Sequence, residues 1–193
     1  MPRYDPQLTL RDARALYFES NGFGDDGGYS KRWVKLEVGP IPLGFPNLPS
    51  RVRAVRIHDI DHLLTGYDTD LLGESEIAAY EIASGYGNYS AAWGLNLSAF
   101  FTGALIWPRK IFTAYRRGRQ CRSLYHEEFG EALLAERVGV AQRRLGLDRS
   151  LPEAVRIADR LSFAGWWLVS ALLSLTILAL LIAPLYGVGL LLF

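Results

Sequence analysis

The segment from Leu161 to Phe193 constrains the fold most, because it contains no charged residue. About 20 apolar residues in a helix span the hydrocarbon core of a bilayer, and the part before Pro184 already reaches that length. Trp166 and Trp167 lie where an interfacial aromatic belt is expected. The sequence therefore predicts a C-terminal transmembrane anchor over 161–193, which crosses once or bends back after Pro184. A buried core helix is the alternative.

The charges of the rest of the chain bear on its orientation in the membrane and on whether it binds nucleic acid. The chain has 21 basic and 20 acidic residues, and this net charge of +1 gives no argument for nucleic-acid binding. Arg149, Arg156 and Arg160 lie in a basic linker over 149–160, directly before the uncharged segment. The positive-inside rule then predicts a single pass with the globular part in the cytoplasm. The single cysteine, Cys121, excludes an internal disulfide.

The N-terminal part, residues 1–50, is expected to combine one helix with an extended segment. The helix is predicted over 8–19, with Thr9 as its N-cap. The segment that follows is rich in glycine and proline, which excludes a continuous helix. Within it, Trp33–Val38 alternates like a short strand, but no clear partner strand follows.

Residues 51–148 are expected to form a helical metal- and lipid-binding domain, so the predicted fold is a compact, mainly α, multi-helix domain with a transmembrane helix. A first helix, capped by Ser50, is predicted to reach Thr65, and a second to run over about 73–84. The uncharged segment 91–107 is expected to be a buried helix or the wall of an apolar cavity. Its bulky side chains are Trp93, Phe100, Phe101 and Trp107.

Two histidines four residues apart mark the chemistry of the domain. A helix places His58 and His62 on one face, with Asp59 within about 60° of His62. Glycine turn signals then predict a hairpin that returns Glu74 to this face. Imidazole and carboxylate together are the ligand set of zinc, iron and manganese. We therefore predict a divalent metal centre of His58, Asp59, His62 and Glu74, with zinc first and iron or manganese as alternatives.

Further polar side chains are candidates for supporting roles. Asp61 is placed to orient an imidazole, and Glu74 or Glu81 is placed to act as a general base. A basic helix follows Pro108, and its arginines are candidates for binding an anionic head group or phosphate; a solvated basic face is the alternative. These candidate binding residues are Arg116, Arg119 and Arg122.

The run His58-Asp59-x-x-His62, followed by Glu74, resembles the signature of the coenzyme Q biosynthesis protein 4 family. A second block over 117–127 is similar to a later segment of that family, and Arg144-Leu145-Gly146-Leu147 resembles its ending. The similarity covers roughly residues 51–147. HD-type phosphohydrolases also contain a His-Asp pair, but the further downstream ligands that they need are not found in this sequence.

The resemblance implies a helical, membrane-associated dimer with a divalent metal and an apolar tunnel for a prenylated quinone precursor or another isoprenoid lipid. It implies a role in ubiquinone biosynthesis, both as catalyst of the oxidative decarboxylation of the prenylated aromatic ring and as organiser of the other quinone-biosynthesis enzymes. The alternative is a non-catalytic membrane scaffold or prenyl-lipid-binding protein that organises those enzymes. The segment before Ser50 departs from the mitochondrial members, and the transmembrane anchor is additional. We therefore expect a bacterial member of the family, located in the inner membrane.

Overall fold

Helices make up most of the protein. A computed structural model describes the backbone of residues 4–38 and 41–192, and their side chains outside 35–43, 91, 95 and 181–192. The helices are α1 (Leu10–Asn21), α2 (Pro49–Thr65), α3 (Leu71–Ser84), α4 (Ser90–Ile106), α5 (Pro108–Gly118), α6 (Glu131–Leu134), α7 (Val138–Leu145) and α8 (Ile157–Leu192), with a 3-10 turn at Leu124–His126. The prediction of a mainly α fold is confirmed.

The helix starts depend on local capping, which the sequence predicted only in part. Thr9 caps α1 as predicted. The prediction of Ser50 as the cap of α2 is wrong, because α2 already begins at Pro49. Proline suits this position, since the first helical N–H groups have no partner within the helix. Helix α3 begins earlier than predicted, at Leu71, because the side chain of Asp70 caps its first turn.

A small hairpin separates α1 from α2. The strand at Trp33–Val38 (β1) pairs in antiparallel register with Ile41–Pro46 (β2), so the expectation that it lacks a partner strand is wrong. Trp33 lies opposite Pro46, and Val38 lies opposite Ile41. Prolines are tolerated here because both strands of a two-stranded sheet are edges, where not every N–H needs a partner.

Helix α3 is the central element of the bundle, since it packs against both α4 and α5. Two glycines permit these close contacts. A Cβ atom on Gly103 of α4 would lie 2.3 Å from Cβ of Ser75, and one on Gly118 of α5 would lie 2.1 Å from the carbonyl oxygen of Tyr80. Larger side chains at these two positions would push α4 and α5 away from α3.

The beginning of α8 packs on α4 through aromatic side chains. Trp166 stacks on Trp93 with ring centroids 4.9 Å apart, and Phe163 meets Phe100 edge-on at 5.2 Å. Ser170 is still buried and Leu173 still packs against the core, whereas residues 175–180 of the helix are exposed. Its stretch Ile157–Leu180 is long and apolar enough to cross a membrane, and little of it is buried in the protein. These 24 residues alone extend about 36 Å, compared with about 30 Å for a hydrocarbon core.

Candidate metal centre

The C-terminal half of α2 buries an unusual number of polar side chains. Asp59, Asp61 and His62 are all buried, and the side chain of His58 is only 17% exposed. Buried charged or titratable groups require partners, because their desolvation is otherwise too costly. Glu81 of α3 is the partner of His58, Tyr29 that of Asp59, and the carbonyl oxygen of Tyr67 that of His62. Among the described residues, Oδ1 of Asp61 has no hydrogen-bond partner.

The turn between α2 and α3 brings Glu74 back to the histidines, as the sequence predicted. Gly66 ends α2 in the left-handed conformation, with φ 75°. The Asp70 cap then starts α3 in the reverse direction, and Glu74 lies in the first turn of α3. The resulting group of possible metal ligands consists of His58, His62 and Glu74.

The spacing of these three donors is that of a mononuclear metal site. The Nε2 atoms of His58 and His62 lie 3.1 Å apart. The two carboxylate oxygens of Glu74 each approach one ring: Oε2 lies 3.4 Å from Nε2 of His58, and Oε1 lies 3.5 Å from Nε2 of His62. Bonds of about 2.0–2.1 Å to a tetrahedral zinc ion place two donors about 3.3 Å apart. The donor set therefore fits a zinc-sized cation.

The hydrogen bonds of the two imidazoles direct their lone pairs toward each other. Nδ1 of His58 lies 2.9 Å from Oε1 of Glu81, and Nδ1 of His62 lies 3.1 Å from the carbonyl oxygen of Tyr67. Both partners are acceptors, so each Nδ1 carries hydrogen, and a ring that is neutral presents its lone pair at Nε2. Two lone pairs and the carboxylate of Glu74 repel one another unless a cation or a proton lies between them.

Without a metal, the same geometry favours a proton. Burial alone would lower the pKa of His58, but the charges of Glu81 and Glu74 and their hydrogen bonds outweigh it and raise that pKa well above 6.5. Burial would likewise raise the pKa of Glu74, but hydrogen bonds with His58 and His62 hold it well below its usual value. A cation that binds here must displace the proton of His58.

The site is closed toward the core and open at Glu74. The side chain of His62 is fully buried, whereas that of Glu74 is 40% exposed. Tyr17 of α1 covers His62, with the two rings stacked at a centroid distance of 6.0 Å. A structural metal site is closed, whereas a catalytic site has three protein ligands and one open position. Three donors beside an open edge leave room for a further ligand on the cation that they could hold.

Asp59, the fourth predicted ligand, is held beside this group and not within it. Its Oδ2 atom accepts a hydrogen bond from the hydroxyl of Tyr29. Burial raises the pKa of Asp59, although the Tyr29 hydrogen bond and the nearby histidines oppose that shift. Consecutive residues of a helix point about 100° apart, so the side chain of Asp59 leaves α2 at a different angle from His58.

The carboxylate beside Nδ1 of His58 is that of Glu81, whereas the sequence suggested Asp61 as the partner of an imidazole. Glu81 lies two turns after Glu74 on α3 and reaches the Nδ1 side of His58. Asp61 is fully buried near Glu81. Burial and the charge of Glu81 raise the pKa of Asp61 well above its usual value, which favours its protonated form.

The basic residues predicted to bind an anionic group lie on α5 and just after it. Arg116 donates to the carbonyl oxygens of Pro152 and Ala154, at 2.6 and 3.1 Å. Arg119 donates to the carboxylate of Asp159 at 2.9 Å. Arg122 is exposed. The first two arginines therefore tie α5 to the linker and to the first turn of α8.

Sequence reasoning missed three contributors to the site: Tyr17, Tyr29 and the carbonyl of Tyr67. No spacing rule relates Tyr29 to Asp59, because 30 residues separate them. The role of Tyr67 had a local signal. It follows Gly66 at the end of α2, where a turn leaves backbone carbonyls free to accept hydrogen bonds.

Comparisons of the chain with protein-family models, with curated proteins and with solved structures found no match.

Proposed function

We propose that the protein binds one divalent cation through His58, His62 and Glu74, with zinc as the first choice and iron or manganese as alternatives. The observation that carries this proposal is the convergence of two imidazole lone pairs and a carboxylate at 3.1–3.5 Å. That arrangement needs a positive charge at its centre. Asp59 joins the ligands only if it exchanges its hydrogen bond with Tyr29 for the cation.

We further propose a role in ubiquinone biosynthesis of the coenzyme Q biosynthesis protein 4 type, with a prenylated aromatic acid as substrate. The order of the His-Asp-x-x-His motif and Glu74 supports this role, as does the open edge of the site at Glu74. The apolar helix Ile157–Leu180 supports it as well. A bacterial inner membrane that holds this helix, with the domain on the cytoplasmic side, would keep the site near the bilayer in which a prenyl chain dissolves.

In the catalytic form of this proposal, the bond between the ring and its carboxyl carbon breaks and carbon dioxide leaves. Dioxygen is the oxidant: one of its atoms becomes the hydroxyl oxygen that replaces the carboxyl, and the other leaves as water with two protons and two electrons from an external two-electron donor such as a quinol. A bound cation supplies Lewis acidity that polarises the carboxylate or phenolate of the ring. His58 and His62 hold it as neutral imidazoles, and Glu74 offsets part of its charge. Burial raises the pKa of Tyr17, so this phenol covers His62 as a neutral group.

The test compares the quinone and precursor content of bacterial cells with and without this protein. Cells without the protein should accumulate a prenylated ring that still carries its carboxyl group. Wild-type protein and the control Glu76→Gln should clear this precursor, and Glu74→Gln at equal membrane levels should not. Normal quinone in the deletion strain would refute the ubiquinone role. Normal quinone with Glu74→Gln would favour the scaffold function, in which the protein presents a prenyl intermediate to other enzymes.

A further inference from the structure

We propose that Glu81 is the positioning residue of the metal centre: its carboxylate holds the Nδ1–H of His58 and thereby turns Nε2 toward the cation. This inference rests on the proposed metal site. It gives Glu81 a role other than general base, because the side chain acts through His58 and does not touch the substrate.

The carboxylate of Glu81 is fully engaged by protein donors. Oε1 lies 2.9 Å from Nδ1 of His58 and 3.3 Å from the hydroxyl of Tyr125, and Oε2 accepts a 2.8 Å hydrogen bond from Asn96. The side chain has no exposed surface. A general base needs an oxygen within reach of the substrate proton. Both oxygens of Glu81 instead join α3 to α2, to α4 and to the 3-10 turn.

The two imidazoles differ in the hydrogen-bond partner at Nδ1, and this difference predicts that they bind the cation with unequal strength. Glu81 gives His58 a carboxylate partner, whereas His62 has the neutral carbonyl of Tyr67. A carboxylate partner fixes the tautomer and raises the basicity of a metal-binding imidazole. Loss of such a partner lowers metal affinity by about 10–100-fold. His58 is therefore the stronger donor, and Glu81 is the reason.

Asn96 makes it possible to separate the charge of Glu81 from its hydrogen bonds. In Glu81→Gln, the new amide group would meet the amide N–H of Asn96, so two donors would face each other. The double variant Glu81→Gln/Asn96→Asp restores a donor–acceptor pair and the total charge. It leaves His58 with a neutral amide oxygen in place of a carboxylate.

The experiment measures zinc affinity of the full-length protein in detergent, by competition with a chromophoric chelator. Glu81→Gln should bind zinc about 10–100-fold more weakly than wild type. The control Glu76→Gln, on the same helix but outside this network, should bind like wild type. The double variant should regain the unfolding temperature of wild type but keep at least about a tenfold loss of zinc affinity.

Three outcomes would overturn the inference. Unchanged zinc affinity in Glu81→Gln would remove the role of Glu81 and leave the metal site intact. Recovery of affinity together with stability in the double variant would show that Glu81 only supports packing. Absence of zinc binding in wild type and in Glu76→Gln alike would refute the metal site itself, and the role of Glu81 with it.

A measurement that leaves Glu81 and Asn96 unchanged keeps the inference testable if their variants do not fold. The chain contains three histidines, and His126 is exposed, so its substitution assigns one set of ring signals. In the zinc-loaded protein, long-range proton–nitrogen spectra should show His58 protonated at Nδ1 and metal-bound at Nε2. Metal bound at Nδ1 with a protonated Nε2 would contradict the proposed role of Glu81.

Discussion

Zinc should stabilise the protein against thermal unfolding, and Glu74→Gln should remove most of that effect. A ligand at 100 times its dissociation constant that binds only the folded state adds about 2.7 kcal/mol to the free energy of unfolding. For a chain of this length, each kcal/mol raises Tm by about 2–4 °C. We therefore expect zinc at this concentration to raise the Tm of wild type by about 5–11 °C.

The substitution acts on the group that faces both imidazoles. The carboxylate oxygens of Glu74 lie 3.4 and 3.5 Å from the two Nε2 atoms, and glutamine retains the shape but not the charge. If zinc binds 100-fold more weakly, the same zinc concentration adds only about 0.4 kcal/mol. The side chain of Glu74 is 40% exposed, so the metal-free variant should lose no more than about 1 kcal/mol.

The assay is thermal unfolding of full-length protein in detergent, with and without zinc, for wild type, Glu74→Gln and the control Glu76→Gln. Glu76 is on the same helix, so its variant tests the effect of removing a carboxylate from α3 outside the donor group. An equal zinc-dependent rise in Tm for Glu74→Gln and wild type would refute the assignment of Glu74 as a ligand.

Three more results are expected. The zinc-dependent gain in the free energy of unfolding should grow from about pH 6 to 8, because zinc displaces the proton that the raised pKa of His58 retains. In metal-free protein, the stabilisation from His58 should be present below about pH 6.5 and lost as the pH passes the raised pKa. Unfolding curves without a pH trend would argue against both expectations. Removal of residues 175–193, which spares the contact of Trp166 with Trp93, should release the protein into the soluble fraction on alkaline extraction, and complete retention would show that another segment anchors it. Gly118→Ala should lower the free energy of unfolding by about 1–3 kcal/mol, since its Cβ would clash with the backbone of α3; thermal unfolding measures this against Gly94→Ala, where a Cβ meets no atom within 4 Å.

The features that the sequence alone determined are those set by local geometry and composition. The spacing of four positions from His58 to His62 places both rings on one face of any helix, whatever surrounds it. The glycine after Thr65 and the return of Glu74 also follow from local turn chemistry. The long apolar helix at the C-terminus could be predicted from the sequence, because such a helix depends on the number of consecutive apolar residues and not on a particular packing partner.

Only the tertiary structure decided which partner each polar side chain has. Tyr29 binds Asp59 across 30 positions, Glu81 binds His58 across 23, and Arg119 binds Asp159 across 40. Helical periodicity gives the direction of a side chain about its own helix, but not the angle or distance at which another helix crosses it. Close packing of α3 against its neighbours sets those angles, and they determine that Glu81, not Asp61, is the carboxylate that reaches His58.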